Sequence, residues 1–315
     1  MKRVIVLGAS GFFGRLILER LSAAGLQPIP ASRSWGELRI DANSAEDIRA
    51  NLRQRDLVVD AAGPFQRRTP ALIDAAKTIG FDVVDISDSP EYAAMVYERE
   101  APVSAAGIRV LTACSALSAV SAVVVKASGI EQPRRLRAYL LPASRNTANP
   151  ATILSFLSGV EGQARTIRFA GPLGDRSGIT VKSVDAITLP RAFPSLAATE
   201  LIVDSGRPYA NALLRSRFVR GLIERHHVTA LKLIRRIGAT SGVLAFEVSS
   251  ALRHKQQIFR GEKSYMLAVI PAIEAAIAIA GGKFKLRGVV PPSEHVGVDE
   301  LYDAVKREGI ESIRP

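Results

Sequence analysis

Gly8, Gly11 and Gly14 stand three residues apart in Gly8-Ala9-Ser10-Gly11-Phe12-Phe13-Gly14, between a short apolar run and a helical pattern. The chemistry that glycine permits here is done by the backbone. The first glycine allows a tight turn out of a strand. The second lets an anion approach the main chain, and the third lets the helix pack close on the sheet. A helix that begins at such a turn offers N–H groups and the positive end of its dipole to a phosphate. The spacing G-x-x-G-x-x-G is looser than G-x-G-x-x-G, so its weight comes from the strand–turn–helix context. We read the turn as the seat of a dinucleotide pyrophosphate; the alternative is a tight βα turn without ligand.

Ser32-Arg33-Ser34 is the second group. Domains that bind NAD carry an Asp or Glu at the end of the second strand, for the ribose 2′-hydroxyl. No carboxylate stands at that point here. Arg33 could pair with a 2′-phosphate, and Ser32 and Ser34 could donate to it, which favours NADP with NAD as the second reading. The alternative is that Arg33 is an ordinary surface arginine. Asp41, after a third strand, is placed near the adenine. The small residues Ala61-Ala62-Gly63-Pro64 follow a fourth strand, where ribose and pyrophosphate could lie against backbone at the carboxyl ends of the strands.

Hydride transfer also needs a positioned substrate and often a proton donor. The later strand ends supply Asp85, Asp88, Cys114 and Ser115. Asp88 could orient or protonate a substrate, or cap the helix before Pro90. Cys114 is either a reactive thiol or a small packing residue. His226, His227, His254 and His295 lack metal-ligand spacing, so no metal is expected. Tyr302 and Lys306 show the Tyr-x-x-x-Lys spacing of short-chain dehydrogenases, but in a terminal helix, far too late in the chain.

The elements that must hold these groups follow from periodicity. Strands are expected at 2–7, 26–32, 38–41, 57–62, 82–86 and 109–113, and helices at 15–24, 44–55, 70–79 and 90–105. Gly25 closes the first helix and Ser44 caps the second. Regular alternation with short connections implies a parallel sheet with helices on both faces. After residue 118 the rhythm stops. Helices are expected at 119–130 and 150–160, and strand-like runs at 134–141, 178–189 and 241–251. The fold class is α/β: a Rossmann-type doubly wound sheet over 1–118, an α+β domain over 119–285, and a segment 286–315 with a Pro291-Pro292 turn and a helix at 298–307.

The chain has 315 residues, 47% of them hydrophobic, and a single cysteine. Two domains with full cores fit that length. One cysteine excludes a disulfide framework and suits a reducing cytosol. The apolar stretch 266–280 contains Pro271 and Glu274, is too short to span a bilayer, and reads as a buried helix. Net charge is +12, which attracts anions. Much of it is concentrated between Arg215 and Arg236, with Glu224 nearly alone against it. That block reads as a solvated helix face, a lid over an acidic or acyl substrate, or an amphipathic pair on a membrane surface. Nucleic acid is not expected, since aromatic residues make up only 6% of the chain and stacking platforms for bases need them.

The segments GASGFFGR, ASRS, DLVVDAAGPFQ and DVVDISD, with the tail GVVPPSEHVGVDELYDAVKREGI, resemble the saccharopine dehydrogenase (saccharopine reductase) superfamily. The likeness covers the first 120 residues well and the last 30 in part. It implies a nicotinamide-dependent oxidoreductase with cofactor contacts at Gly8, Ser10, Gly11, Phe12, Gly14, Ser32, Arg33, Ala62, Gly63 and Pro64. It also implies that the C-terminal segment returns to pack on the first domain. The chain is much shorter than true saccharopine reductases, and Cys114-Ser115-Ala116-Leu117 replaces a more polar stretch, so saccharopine itself is not the expected substrate. The reading is a cytoplasmic NADP-dependent oxidoreductase, a homodimer, with a small-molecule substrate between its domains. A non-catalytic NADP(H)-binding sensor and a membrane-associated reductase of a lipid or acyl substrate are the alternatives.

Overall fold

The computed structural model describes residues 2–314, the side chain of Pro172 excepted. In chain order the elements begin β1 (Val4–Leu7), α1 (Phe12–Ala23), β2 (Pro28–Ser32), β3 (Leu38–Arg39), α2 (Ala45–Asn51), β4 (Leu57–Asp60), α3 (Ala71–Ile79), β5 (Asp82–Asp85), α4 (Pro90–Tyr97), α5 (Glu100–Ala105) and β6 (Arg109–Leu111). They continue as α6 (Ala119–Ala127), β7 (Arg135–Leu141), α7 (Ser144–Thr147), α8 (Pro150–Gly159), β8 (Val160–Phe169), β9 (Gly174–Val181), α9 (Asp185–Ala192) and β10 (Ala198–Val203). The rest are α10 (Pro208–Leu214), α11 (Arg217–Arg225), α12 (His227–Ile237), β11 (Gly242–Ser249), β12 (His254–Gly261), α13 (Ile270–Ala280), β13 (Gly288–Val289), α14 (Val298–Arg307) and β14 (Glu311–Ile313).

The chain divides into two compact units, Met1–Val120 with Ala268–Leu301, and Ser121–Leu267 with Tyr302–Pro315. The first is built on a seven-stranded sheet in the order β13-β6-β5-β4-β1-β2-β3, parallel throughout. Strands β4 and β5, LVVD and DVVD, are buried along their length, as the inner strands of a two-sided parallel sheet must be. Strand order reverses at β1 and β4, so the turn after β1 and the loop after β4 open on the same crevice. Pro28 and Pro30 are tolerated in β2 for a local reason. The Pro30 carbonyl accepts from Glu37 N at 2.8 Å, so these residues face the outer edge, where β3 pairs only with Ala31 and Ser32.

The second unit holds a mixed seven-stranded sheet, β14-β12-β11-β7-β10-β9-β8, antiparallel except where β10 runs parallel to β7. Tyr139, Ile167, Phe169, Ile202, Ala245 and Ile258 form its core. The architecture is therefore α/β, a Rossmann-type sheet with a second α+β unit.

Two boundaries fall elsewhere than the sequence suggests. The very apolar α13 belongs to the first unit, where it packs on β4, β5 and α1, so the second unit's core ends at 267 rather than 285. The C-terminal segment is shared: β13 extends the first sheet beside β6, whereas β14 pairs with β12 of the second. Within the helices, 90–105 is two pieces broken at Arg99, because Pro102 lacks the N–H that a continuous helix would bond. The run expected as strand at 178–189 is β9 followed by helix α9.

Candidate functional site

The glycine turn is packed as its residue types require. Gly8 has φ +75°, and a Cβ there would stand 2.5 Å from the Ala61 carbonyl oxygen. A Cβ on Gly14 would stand 2.2 Å from the Gly8 carbonyl oxygen, so only glycine lets α1 close on the turn. Gly11 N donates to Gly8 O at 2.9 Å, and Gly11 itself is exposed. Gly11 is also the N-cap of α1; no side chain caps the helix, and no acidic residue sits in its first turn. The positive helix end is thus left for an external anion. Ala9 N donates to Ala31 O at 3.1 Å and Ala61 N to Leu7 O at 2.9 Å, which draws the ends of β1, β2 and β4 together. Ser10, Phe12 and Phe13 are half-buried around the same turn.

At the end of β2 the three polar residues part company. The Ser32 hydroxyl is buried and accepts from Trp35 N at 2.9 Å, which shapes a turn; its oxygen is spent on that turn. Arg33 and Ser34 are exposed, and among the described residues no carboxylate pairs with Arg33. Trp35, the only tryptophan, is 51% exposed beside them, and no motif in the sequence marks it. Asp41, half-buried in the loop after β3, accepts from Asn43 N through Oδ1 at 2.9 Å.

The loop after β4 holds a buried ion pair. Asp60 closes β4 and is 0% exposed, and Arg68 is 7% exposed. Their Nη2–Oδ2 distance is 2.8 Å, and Arg68 Nη1 also donates to Asp60 Oδ1 at 3.1 Å and Ala62 O at 2.9 Å. The guanidinium lies 5.5 Å from the Phe65 ring centroid and 5.7 Å from that of Tyr92. Asp60 Oδ1 accepts from Ala62 N at 2.9 Å. The pair therefore fixes the backbone of Ala61 and Ala62, while Gly63 is exposed and a Cβ on it would meet only Phe65 N, at 3.9 Å. Spacing gave no sign of Arg68. The one available signal was Asp60 itself, a carboxylate in an otherwise apolar strand, which needs a cation.

Asp85 ends β5 and is wholly buried. Its Oδ1 accepts from Ser87 N at 3.0 Å and Ala113 N at 2.9 Å, tying the loops after β5 and β6 together. Oδ2 has no partner of good geometry. Burial pushes its pKa up to about 7, the Asp60 charge adds to the rise, and the backbone N–H groups and the nearby Thr112 hydroxyl oppose it. The buried Tyr92 hydroxyl is also without a partner, and burial, then the Asp85 charge, raises its pKa well above the ordinary value.

The other candidates sit close by but are otherwise engaged. Asp88 is exposed and accepts from Gln66 Nε2 at 3.1 Å; Ser89, not Asp88, caps α4. Cys114 is fully buried, and burial with the Asp85 charge raises its thiol pKa well above the ordinary value, the reverse of an activated thiol. Ser115 Oγ donates to Ala268 O at 2.9 Å. Ala113 and Ser118 in this loop hold φ +54° and +80°, a conformation that costs energy in residues other than glycine. Tyr302 donates to Gln257 Oε1 at 2.9 Å, in the second unit and in a packing role.

No family model matches the chain, and no curated protein does. Among solved structures, the WlbA (WbpB) dehydrogenase from Thermus thermophilus, in complex with NAD and alpha-ketoglutarate, is similar at TM-score 0.40 and 13% identity, over 97% of this chain and 93% of that one. An oxidoreductase from Sinorhizobium meliloti gives 0.39 and 11% over 99% of each. Biliverdin reductase from Synechocystis, in complex with biliverdin and NADP+, gives 0.37 and 13% over 96% of each. With scores under 0.5, the fold rests on this chain's own strand order, and what the chain does has to be read from its own residues.

Proposed function

We propose that the chain is an NADP(H)-dependent oxidoreductase of the saccharopine dehydrogenase-like type, acting on a small substrate other than saccharopine. The observation that carries this is the arrangement at the carboxyl ends of β1, β2 and β4. An uncapped helix start, a glycine turn closed by backbone contact and the exposed, unpaired Arg33 stand where a dinucleotide with a 2′-phosphate would need them. The residues fit that group. Gly8, Ser10, Gly11, Phe12, Phe13 and Gly14 would hold the pyrophosphate. Arg33, with Ser34, would hold the 2′-phosphate, and Trp35 offers a face to the adenine. Ala61, Ala62, Gly63 and Pro64 would lie along the ribose, with the Ala62 backbone held by Asp60 and Arg68. Ser32 supports the turn from within rather than donating to the ligand.

When bound, the nicotinamide supplies or accepts a hydride at a C=O, C=N or C=C group. This chain's part is to bind, orient and exclude water. A reading as a non-catalytic NADP(H) sensor is favoured by one observation: Cys114 and Ser115 are engaged or buried and Asp85 is sealed, which leaves only Asp88, exposed and bonded to Gln66, among the candidate proton donors. Steady NADPH oxidation with any member of an imine, ketone or enoyl panel decides between the two.

The binding test is titration calorimetry with NADPH and NADH, with Trp35 emission as a second signal. We expect NADPH to bind more tightly. Arg33→Ala should weaken it about tenfold to a hundredfold, the size of a charge-assisted hydrogen bond, and leave NADH unchanged. An unchanged NADPH affinity removes Arg33 from the site, and absence of binding by either cofactor defeats the proposal.

A further inference from the structure

Seven of the ten large apolar side chains that the described residues expose lie between 209 and 237, so exposed apolar surface is concentrated on α10, α11 and α12. Each of these helices presents a pair one turn apart: Tyr209 and Leu213 on α10, Phe218 and Leu222 on α11, Leu233 and Ile237 on α12. Their exposures run from 41% for Ile237 to 80% for Phe218. The inner faces of α11 and α12 are already satisfied. Leu231 is buried with Ala148 and Ile153, and Ile223, Ile234 and Leu157 pack around them. Arg235 clamps α12 through two bonds to Ala148 O, at 3.2 and 3.0 Å. The outward pairs are therefore not a core left unfinished on the inside.

The same surface is cationic. Eight Lys and Arg residues fall between 207 and 236 against the single acid Glu224. Arg215, Arg220 and Arg235 bond backbone carbonyls. Arg207, Arg217, Arg225, Lys232 and Arg236 have no carboxylate partner among the described residues. In α11, Phe218, Leu222 and Arg225 follow at i, i+4 and i+7 and share the outer face.

We propose that α10–α12 form a docking surface for an anionic lipid bilayer. Apolar pairs would enter the headgroup boundary, and long arginine side chains beside them would reach the phosphates. Charge complementarity argues against a second copy of this chain, which would bring a surface of the same sign. Nucleic acid gives no use for exposed Leu213, Leu222 and Leu233. Among the described residues no helix is long and apolar enough to cross a membrane, so the contact is with the bilayer surface. This proposal is independent of the cofactor reading.

The test is co-sedimentation of the full chain with phosphatidylcholine vesicles, with and without phosphatidylglycerol, at low and high salt. We expect binding only where phosphatidylglycerol is present, weakened by salt. Arg217→Gln with Arg225→Gln should weaken it about 25-fold, at about fivefold per charge. Phe218→Ser with Leu222→Ser should weaken it as well, and both variants should melt like the wild type, since these side chains face outward. Equal binding to neutral vesicles, no binding to either, or anionic binding that both variants leave intact overturns the proposal. So does a dimer that the Phe218/Leu222 variant splits while vesicles remain unbound, which would give the surface to a second copy.

Discussion

The Arg68 guanidinium reaches back eight residues to the Asp60 carboxylate, with Nη2 and Oδ2 2.8 Å apart and both side chains buried. Buried pairs add little against apolar substitutes, yet losing one partner strands the other charge. Arg68→Met should therefore destabilise the first unit by about 3–5 kcal/mol, read from denaturant midpoints. Arg68→Met combined with Asp60→Asn should recover part of that loss. If the single variant unfolds at the wild-type midpoint, the pair does not hold the β4 loop.

Asp85 gives a pH signature. Its pKa rises from an ordinary 3.8 to about 7 in the folded chain, so between those values the folded state holds a proton that the unfolded state has released. Stability then falls as pH rises from about 4 to about 7 and levels off above. Asp85→Asn keeps an oxygen for the Ser87 and Ala113 N–H groups and carries no charge. It should flatten that decline and raise the melting temperature at pH 8. A variant that melts lower at pH 8 would mean the charged carboxylate is needed.

His295 should give the opposite slope. It is buried, its Nε2 lies 3.0 Å from Val290 O, and burial lowers its pKa from 6.5 to about 4. The unfolded state binds the proton first, so stability is full above about 6.5 and is lost as pH falls towards 4. His295→Gln should shrink the acid-side loss of melting temperature, and an unchanged acid limb would show that other groups set it.

Much of the first unit was legible because each strand and its turn carry their own signal. β4 and β5 are apolar runs bounded by Asp, Gly and Ser, and Ser44 caps α2 as its type suggests, accepting from Asp47 N at 3.1 Å. The second unit was harder to read. β8, Val160–Phe169, is mostly exposed on both faces, with only Val160, Ile167 and Phe169 buried, so it lacks the alternation that marks a strand. β14 is three residues long and is held by pairing with β12, a distant contact that no local pattern encodes. In the site, glycine positions could be read because backbone geometry restricts the residue type. Arg68 could not be told from Arg67, since which of two adjacent arginines turns inward is decided by Asp60 and the Phe65 and Tyr92 rings.

That restriction at the glycines yields a graded test. Gly8→Ala meets both an unfavourable φ of +75° and the Ala61 carbonyl at 2.5 Å, and Gly14→Ala meets the Gly8 carbonyl at 2.2 Å. In both, the obstacle is backbone, so either the turn or α1 must move. Gly11→Ala meets only the Gly8 carbonyl at 3.2 Å, without an unusual φ, and a small shift of the turn accommodates it. We expect Gly11→Ala to melt within a few degrees of wild type yet lose NADPH affinity, because its methyl stands on the exposed backbone where the pyrophosphate would approach. Gly8→Ala and Gly14→Ala should lose stability first, on the order of 1–3 kcal/mol for the strained backbone and overpacking. Thermal melts paired with NADPH titrations separate the two effects. If Gly11→Ala binds NADPH as wild type does, the second glycine is not the point of closest approach, and the pyrophosphate must sit elsewhere along the turn.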